Sequence, residues 1–355
     1  MQYLSHLATN VCLQPLCILT NILPFFSHVE SKASQKALDK FLKLRKVRSK
    51  CRKITTKANK GKLKRLIKIE QENAGIKPRT LKQEIATRFT ATHIMLRSFI
   101  NDPSEKMNDE VDKEAGWKNF SAVNAAMMKT SMKKEKLDKL KLTRDDLNVM
   151  ANILPTLDVL EEGVRLLGGE KFYTGSVVLP FLKKFLVFLD GDEDDVMYVR
   201  NFKDKLQKEM IRRCKDNLNF ELLAKASFCD IRYSHLKFLE TLVNFGITDM
   251  SKKQVVAEIK LELQLLKLQD NGEKEYASDV SLEPPKKKKK RFMDDEDEDE
   301  EDDRRNTRSV DEELDNYLKE TNLKSSGDPA SWLRVKEKNY PTISKLARKY
   351  LAVQV

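Results

Sequence analysis

The chain has 355 residues, of which 40% are hydrophobic and 34% charged, and its formal net charge is +12. This length accommodates more than one domain, but the composition is polar for a chain that is folded throughout. The positive charge favours a polyanionic partner. The five cysteines and four histidines show no zinc-finger spacing, so we expect no metal or other cofactor, and scattered thiols are typical of a reducing compartment.

The first 26 residues are mostly apolar and contain no lysine or arginine. A signal peptide begins with basic residues and continues as an unbroken apolar run. Here polar residues, Pro15 and Pro24 interrupt the run, which is also too broken to span a bilayer. We therefore expect residues 1–30 to be the remnant of a folded domain, and we expect no membrane partner.

A basic segment follows, with fourteen lysines and arginines and no acidic residue between Lys40 and Ile69. Leu38, Phe41 and Leu42 recur at helical spacing and predict a helix that Gly61 ends or bends. A basic helix can lie along a DNA duplex and release its counterions, although most basic helices are simply solvated. The candidate DNA-binding residues are Arg45, Lys46, Arg48, Lys50, Arg52, Lys53 and, further along the chain, Arg88.

The middle of the chain shows repeated helical periodicity. The pattern predicts a helix over residues 80–100, short helices and loops over 101–141, and a long helix that begins at Thr143 as N-cap and kinks at Pro155. Further helices are predicted at 175–189, 194–217, 234–246 and 251–269. The run 186–189 also suits a short buried strand, and the last helix carries apolar residues at coiled-coil-like spacing over too few heptads to predict a coiled coil.

Residues 271–308 differ in composition from the rest of the chain. Six consecutive basic residues are followed closely by ten consecutive acidic ones, 294–303. No packed structure buries such blocks, so we predict a disordered linker. An exposed basic run suits a nuclear import receptor and predicts a nuclear protein. The alternative is a solvated polycation neutralised by its acidic neighbour. The import residues are Lys286, Lys287, Lys288, Lys289, Lys290 and Arg291.

Residues 309–355 are predicted to form a final compact piece that starts with a helix at 310–318. A piece of this size buries too little surface to be stable alone, so it must dock on its own chain or on a second copy. We expect its apolar side chains to form an association surface. They are Trp332, Tyr340, Ile343, Leu346, Tyr350 and Leu351.

The end of the chain resembles the start of the C-terminal dimerisation region of hAT-family DNA transposases, whose pattern reads D-P-L-x-W-W, a spacer, and Y-P-x-L-S-x-L-A-R-x-Y-L. The matching residues are Asp328-Pro329, Trp332, Tyr340-Pro341, Ser344, Leu346-Ala347-Arg348 and Tyr350-Leu351. Four earlier segments are similar to family segments in the same order. They are Ser5-His6-Leu7, with Tyr3 at a cysteine position; 84–96, with Phe89 at a tryptophan position; 167–180; and 226–239, where Asp230, Arg232 and Tyr233 match.

This resemblance implies an RNase H-like fold interrupted by a long helical insertion. We therefore expect a mainly α-helical chain with at most a few remnant strands. The domains would be an RNase H remnant (1–30), the hAT helical region (31–270), the linker (271–308) and the first part of the dimerisation region (309–355).

In the family, three acidic residues hold two metal ions for strand cleavage and transfer. The resemblance places these residues and the BED-type zinc finger outside this chain, as in a truncated copy. We therefore expect a non-catalytic, transposase-derived nuclear protein that dimerises with itself or with another hAT-like protein and contacts DNA without sequence specificity. The alternatives are a metal-dependent transposase or nuclease fragment using acids such as Glu161, Asp190 and Asp230, and a basic DNA- or chromatin-binding protein working through residues 40–68.

Overall fold

The computed structural model describes residues 42–59, 61–84, 90–100, 111–167, 174–279 and 309–351. Within these ranges the regular structure is entirely α-helical, and no strand occurs. The prediction of a mainly α-helical fold is therefore confirmed. The predicted remnant domain at 1–30 lies outside the described residues. None of the described helices combines the length and the hydrophobicity needed to cross a bilayer.

The described part of the chain contains fourteen helices. The first seven are α1 (Leu42–Ala58), α2 (Lys62–Asn73), α3 (Thr90–Ile100), α4 (Val111–Met128), α5 (Lys134–Leu140), α6 (Arg144–Leu167) and α7 (Thr174–Leu189). The next seven are α8 (Met197–Asn217), α9 (Phe220–Cys229), α10 (Phe238–Asn244), α11 (Lys252–Asp279), α12 (Val310–Lys319), α13 (Pro329–Lys336) and α14 (Pro341–Leu351).

The described residues belong to two compact units. Of the described residues, those within 42–166 and 185–213 form the first unit, and those within 167–184, 214–279 and 309–351 form the second. The structure thus divides the predicted 31–270 region between two units and groups α12–α14 with α9–α11. Residues 271–279 of the predicted linker belong to helix α11, and residues 280–308 lie outside the described residues.

Helix α1 of the first unit follows directly from its sequence pattern. Its apolar residues recur every three or four positions and are buried: Leu44, Val47, Cys51, Ile54 and Ala58. The basic residues between them therefore lie on other sides of the helix. Gly61 adopts a φ of +66°, which glycine reaches at little steric cost, and α2 begins at the next residue. The predicted break at Gly61 is confirmed.

Two predictions for the following segment are confirmed only in part. The helix predicted over 80–100 is present as α3, residues 80–84 are not helical, and residues 85–89 lie outside the described residues. Residues 111–128 form one continuous helix, α4, instead of short pieces. Helix α4 buries Phe120, Val123 and Met127. Its buried Asn119 donates a hydrogen bond of 2.7 Å to the carbonyl of Phe99, which ties α4 to the end of α3.

Helix α6 begins as predicted. The hydroxyl of Thr143 accepts a hydrogen bond from the backbone N–H of Asp146 (3.2 Å), and the Asp146 carboxylate accepts one from the N–H of Thr143 (2.9 Å). The helix continues through Pro155 to Leu167. Residues 186–189 belong to α7, so the alternative of a buried strand there is wrong.

The second unit is organised around helix α9, of which eight residues from Leu222 to Cys229 are buried. The sequence pattern did not predict this helix. Helices α11 and α14 both pack against α9, and α12 packs against α11 and α14. The C-terminal helices therefore form part of the core of this unit.

Candidate association site

The predicted association piece starts with helix α12. Both hydrogen bonds of a capping box are present at its N-terminus. The hydroxyl of Ser309 accepts a hydrogen bond from the N–H of Glu312 (3.1 Å), and the Glu312 carboxylate accepts one from the N–H of Ser309 (3.4 Å). The helix buries Val310, Leu314 and Tyr317 on one side. Helix α12 is thereby fixed in both its starting point and its orientation.

Tyr317 is fully buried and lies at the centre of an aromatic cluster formed by Phe228, Tyr317, Trp332 and Tyr340. Its ring centroid is 5.2 Å from that of Phe228, 6.0 Å from that of Trp332 and 5.6 Å from that of Tyr340. Trp332 and Tyr340 stack at 5.9 Å. Each such ring pair contributes roughly 0.5–1.5 kcal/mol beyond simple burial. The aromatic cluster therefore packs α13 and the connection between α13 and α14 against α12 and α9.

The hydroxyl of Tyr317 also has a defined partner. It donates a hydrogen bond of 3.0 Å to the backbone carbonyl of Phe228, near the end of α9. Burial raises the pKa of Tyr317 well above its ordinary value, so the ring remains neutral and acts as a hydrogen-bond donor. Tyr340 at the edge of the cluster donates to the Glu320 carboxylate at 2.8 Å.

Helix α13 begins at the Asp328-Pro329 pair that carries part of the family resemblance. The Asp328 carboxylate accepts hydrogen bonds from the N–H groups of Ala330 (3.1 Å) and Ser331 (3.3 Å), and Pro329 occupies the first helical position. The hydrogen bond from the Ser331 side chain is the largest cause that lowers the pKa of Asp328. The motif pair thus has a local structural role.

Helix α14 receives its cap from a distant residue, Glu313 on α12. The Glu313 carboxylate accepts a hydrogen bond of 2.8 Å from the N–H of Ile343, in the first turn of α14. Burial raises the pKa of Glu313, while hydrogen bonds from Ile343 and Thr342 partly oppose this effect. A carboxylate is favoured at this helix N-terminus because the free N–H groups there are partially positive.

Five of the six predicted association residues are buried within the chain: Tyr340, Ile343, Leu346, Tyr350 and Leu351. Trp332 is half-buried in the aromatic cluster. These side chains pack against α9, α11 and α12 of their own chain, which corresponds to the first of the two predicted docking alternatives. Their involvement in dimerisation stays a prediction.

Charged groups also connect α14 to the core of the second unit. The Lys225 ammonium on α9 lies 2.9 Å from the Glu262 carboxylate on α11. The hydroxyl of Tyr350 donates to the same carboxylate at 2.9 Å, and Lys349 lies 3.3 Å from it. Burial acts to raise the pKa of Glu262, but the hydrogen bond from Lys225 and the charge of Lys349 hold it below its ordinary value. Glu262 therefore stays ionised and joins three helices.

The Asp230–Arg232 pair holds the connection between α12 and α13. Asp230 is fully buried, its carboxylate lies 2.6 Å from the Arg232 guanidinium, and it accepts a hydrogen bond of 2.7 Å from Ser176. Arg232 donates to the carbonyl of Ser325 at 3.3 Å, and its own carbonyl accepts from Asn322 at 2.9 Å. The two residues that match the family thus position the C-terminal region.

The DNA-binding candidates on α1 divide into two groups. Three of them are engaged in ion pairs: Arg48 lies 2.8 Å and Arg52 2.6 Å from the Glu84 carboxylate, and Lys50 lies 2.7 Å from Asp146. Burial acts to raise the pKa of Glu84, but hydrogen bonds from Thr92 and the arginines hold it low. Arg48, Arg52 and Lys50 therefore stabilise their own unit through ion pairs. The sequence pattern did not predict these pairs.

The other described candidates remain open to solvent. Arg45, Lys46 and Lys53 are exposed and line a depression of about 530 Å³ together with Lys50 and Lys139. We call this depression the basic groove. The last candidate, Arg88, lies outside the described residues, as do the import residues 286–291.

A second depression lies between α13 and α14. It has a volume of about 270 Å³, and its lining includes Ala330, Leu333, Ala347 and Leu351, with Arg334 and Arg348 at the edge. We call it the α13–α14 groove. Across the described part of the chain, no group of three or more histidine, cysteine, aspartate or glutamate side chains is placed to hold a metal ion.

Comparison with known protein families gives one match. Residues 313–355 match the family model of the hAT family C-terminal dimerisation region. The match begins at Glu313, the cap of α14, and includes α13 and α14. The end of the chain is therefore similar to a hAT dimerisation region. No curated protein matches the chain.

Proposed function

We propose that the chain is a transposase-derived association protein that dimerises, with itself or with another hAT-like protein, through its second unit. The observation that carries this proposal is the match of residues 313–355 to a dimerisation region. The structure supports it because α12–α14 are docked on α9 and α11, so the matched region has a preformed shape. A surface that is ordered before binding loses less conformational entropy on association.

The proposal is tested by measuring the mass of the full chain in solution over a range of concentrations. The matched region predicts a reversible dimer. Trp332→Ala with Leu346→Ala is an unsuitable test variant, because Leu346 is fully buried and its truncation removes roughly 2–5 kcal/mol of stability. Loss of the dimer in that variant would only report unfolding, so variants of exposed residues are needed.

We propose further that the chain does not catalyse strand transfer. Asp230 was the one acidic residue of the rival triad that matched a family segment, and it is buried against Arg232 at 2.6 Å. A carboxylate neutralised by a guanidinium is a poor ligand for a catalytic metal ion. Nuclear localisation through Lys286–Arg291 also remains a proposal, supported by six consecutive basic residues that follow Pro284-Pro285.

A second candidate function is sequence-independent contact with DNA, and the basic groove favours it. Its exposed cations Arg45, Lys46 and Lys53 lie beside Lys50 and Lys139, so several phosphates can approach several cations at once. Replacing the first three with glutamine should weaken binding to duplex DNA and reduce the slope of log K against log salt by about 2–3. Fluorescence anisotropy with a labelled duplex at several salt concentrations measures both quantities.

The matched control carries the same loss of charge elsewhere, at the exposed lysines Lys319, Lys324 and Lys338. It should reduce the salt slope much less, because those side chains do not line the groove. Equal effects of the two triple variants, or no effect of the groove variant, would show that the basic groove has no special part in DNA contact.

A further inference from the structure

Helix α11 carries two apolar faces. One is the expected core face, on which Val255, Ile259 and Leu263 are fully buried. This face contacts α9, α12 and α14, so it belongs to the interior of the second unit. The other face bears three leucines that are largely open to solvent: Leu261 is 61% exposed, Leu265 60% and Leu268 67%.

Between residues 254 and 268, the exposed leucines share their face with uncharged residues. At 100° per residue, positions 254, 257, 261, 264, 265 and 268 fall within an arc of about 100°. The remaining members are Gln254, Ala257 and Gln264, all exposed. We call this set the leucine stripe. Within the described residues, no other helix leaves more than one large apolar side chain open to this degree.

Three charged side chains of α11 are held in ion pairs away from the stripe. Lys260 pairs with Asp311 on α12 at 2.8 Å, Glu262 with Lys225 on α9 at 2.9 Å, and Asp270 with Lys345 on α14. These pairs fix the rotation of α11 about its axis, so the leucines are held toward solvent. A row of exposed leucines in one line is a common mark of a protein contact.

We propose that the leucine stripe is the surface on which a second copy of this chain docks, with helix α11 of each copy lying against the other. This proposal rests on the proposed dimerisation and names its surface. One argument is that the matched dimerisation region packs on the opposite face of the same helix. A second is that the apolar residues of α14 are already buried, so they are not available to a second copy.

The charges that flank the stripe fix the orientation of the two helices. Lys253, which is exposed, lies at one edge of the stripe. Glu258, whose side chain is 39% exposed, lies at the other. In a parallel pair, the lysine edge of each copy lies beside the glutamate edge of the other, whereas an antiparallel pair brings like edges together. The pairing is therefore parallel and two-fold symmetric.

The spacing of the stripe suits such a pair. Ala257, Leu261, Gln264 and Leu268 are separated by four, three and four residues, as in a two-stranded coiled coil. This length is too short to hold two isolated helices together. Here α11 is already ordered by its buried face, so less entropy is lost on pairing. The small area predicts a dissociation constant in the micromolar range.

The test compares variants of the full chain by sedimentation velocity. Leu261→Glu with Leu268→Glu places buried charges in the contact and should raise the dissociation constant at least tenfold. Circular dichroism should be unchanged, because both side chains are mostly exposed in the single chain. The matched control, Leu42→Glu with Met197→Glu, alters side chains that are 62% and 80% exposed and should leave the dimer intact.

Cross-linking tests the orientation. Chains carrying Leu261→Cys or Leu268→Cys should each cross-link to a copy of the same variant through a short bis-maleimide if the pair is parallel. Cross-linking only in a mixture of the two variants would mean an antiparallel pair and would overturn the proposed geometry.

Failure of this inference is distinguishable from failure of the proposed function. A dimer that survives the leucine variants but is lost with Ala330→Glu, in the α13–α14 groove, would overturn the leucine stripe and leave dimerisation standing. A chain that remains a monomer at tens of micromolar would overturn both.

Discussion

Replacing Tyr317 with alanine should lower the free energy of unfolding of the second unit by roughly 3–5 kcal/mol. The ring is fully buried and lies within 5.2 to 6.0 Å of three other aromatic rings. Its removal leaves a cavity at the point where α9, α12 and the α13–α14 connection meet. Urea unfolding followed by tryptophan fluorescence measures the change, in a Trp117→Phe background so that Trp332 alone reports on this unit.

Tyr317→Phe is the control for the hydroxyl group. It keeps the ring and removes the hydrogen bond to the Phe228 carbonyl, which should cost about 1–3 kcal/mol because that buried carbonyl loses a donor. The alanine variant should therefore be clearly less stable than the phenylalanine variant. Equal stabilities would contradict the role assigned to ring packing in the aromatic cluster.

Replacing Arg232 with methionine should also destabilise the second unit by roughly 3–5 kcal/mol, because it leaves the Asp230 carboxylate buried without its countercharge. The same change removes the hydrogen bond from Arg232 to the Ser325 carbonyl. The connection between α12 and α13 should then become more accessible. Urea unfolding measures the stability, and limited proteolysis between α12 and α13 measures the accessibility.

A double variant separates the charge effect from the loss of packing. Arg232→Met combined with Asp230→Asn removes both charges and should recover a substantial part of the stability lost by Arg232→Met alone. If the free energy of unfolding of Arg232→Met equals that of the unchanged chain within error, the pair does not hold the C-terminal region in place.

Several elements could be predicted from short-range sequence patterns alone. The spacing of apolar residues in α1, the break at Gly61 and the cap at Thr143 each depend on neighbours within one or two helical turns. Such features are readable because the interacting residues lie three or four positions apart in the sequence. The Ser309–Glu312 capping box at the start of α12 is a local feature of the same kind.

Features that depend on distant residues were not predictable. Residues 76–84 are not helical, and the Glu84 carboxylate pairs with arginines 32 and 36 positions earlier. These pairs also neutralise part of the basic surface that the sequence presented as a DNA contact. Likewise the cap of α14 is Glu313, which lies 30 positions before Ile343. No periodicity in the sequence connects such pairs.

The association residues illustrate a further limit. An apolar stripe on α14 predicts that something covers it, but an amphipathic pattern does not identify the partner. In the structure that partner is the chain's own α9 and α11, fixed by Lys225, Glu262 and Tyr350. The exposed leucines of α11 became recognisable only when burial separated the two apolar faces of that helix.

Dimerisation is the central claim, and sedimentation equilibrium of the full chain tests it most directly. With increasing concentration into the tens of micromolar, the apparent mass should rise from the 41.1 kDa of a single chain toward twice that value, and a single dissociation constant should describe the data. An apparent mass that stays at 41.1 kDa over the whole range would contradict the account.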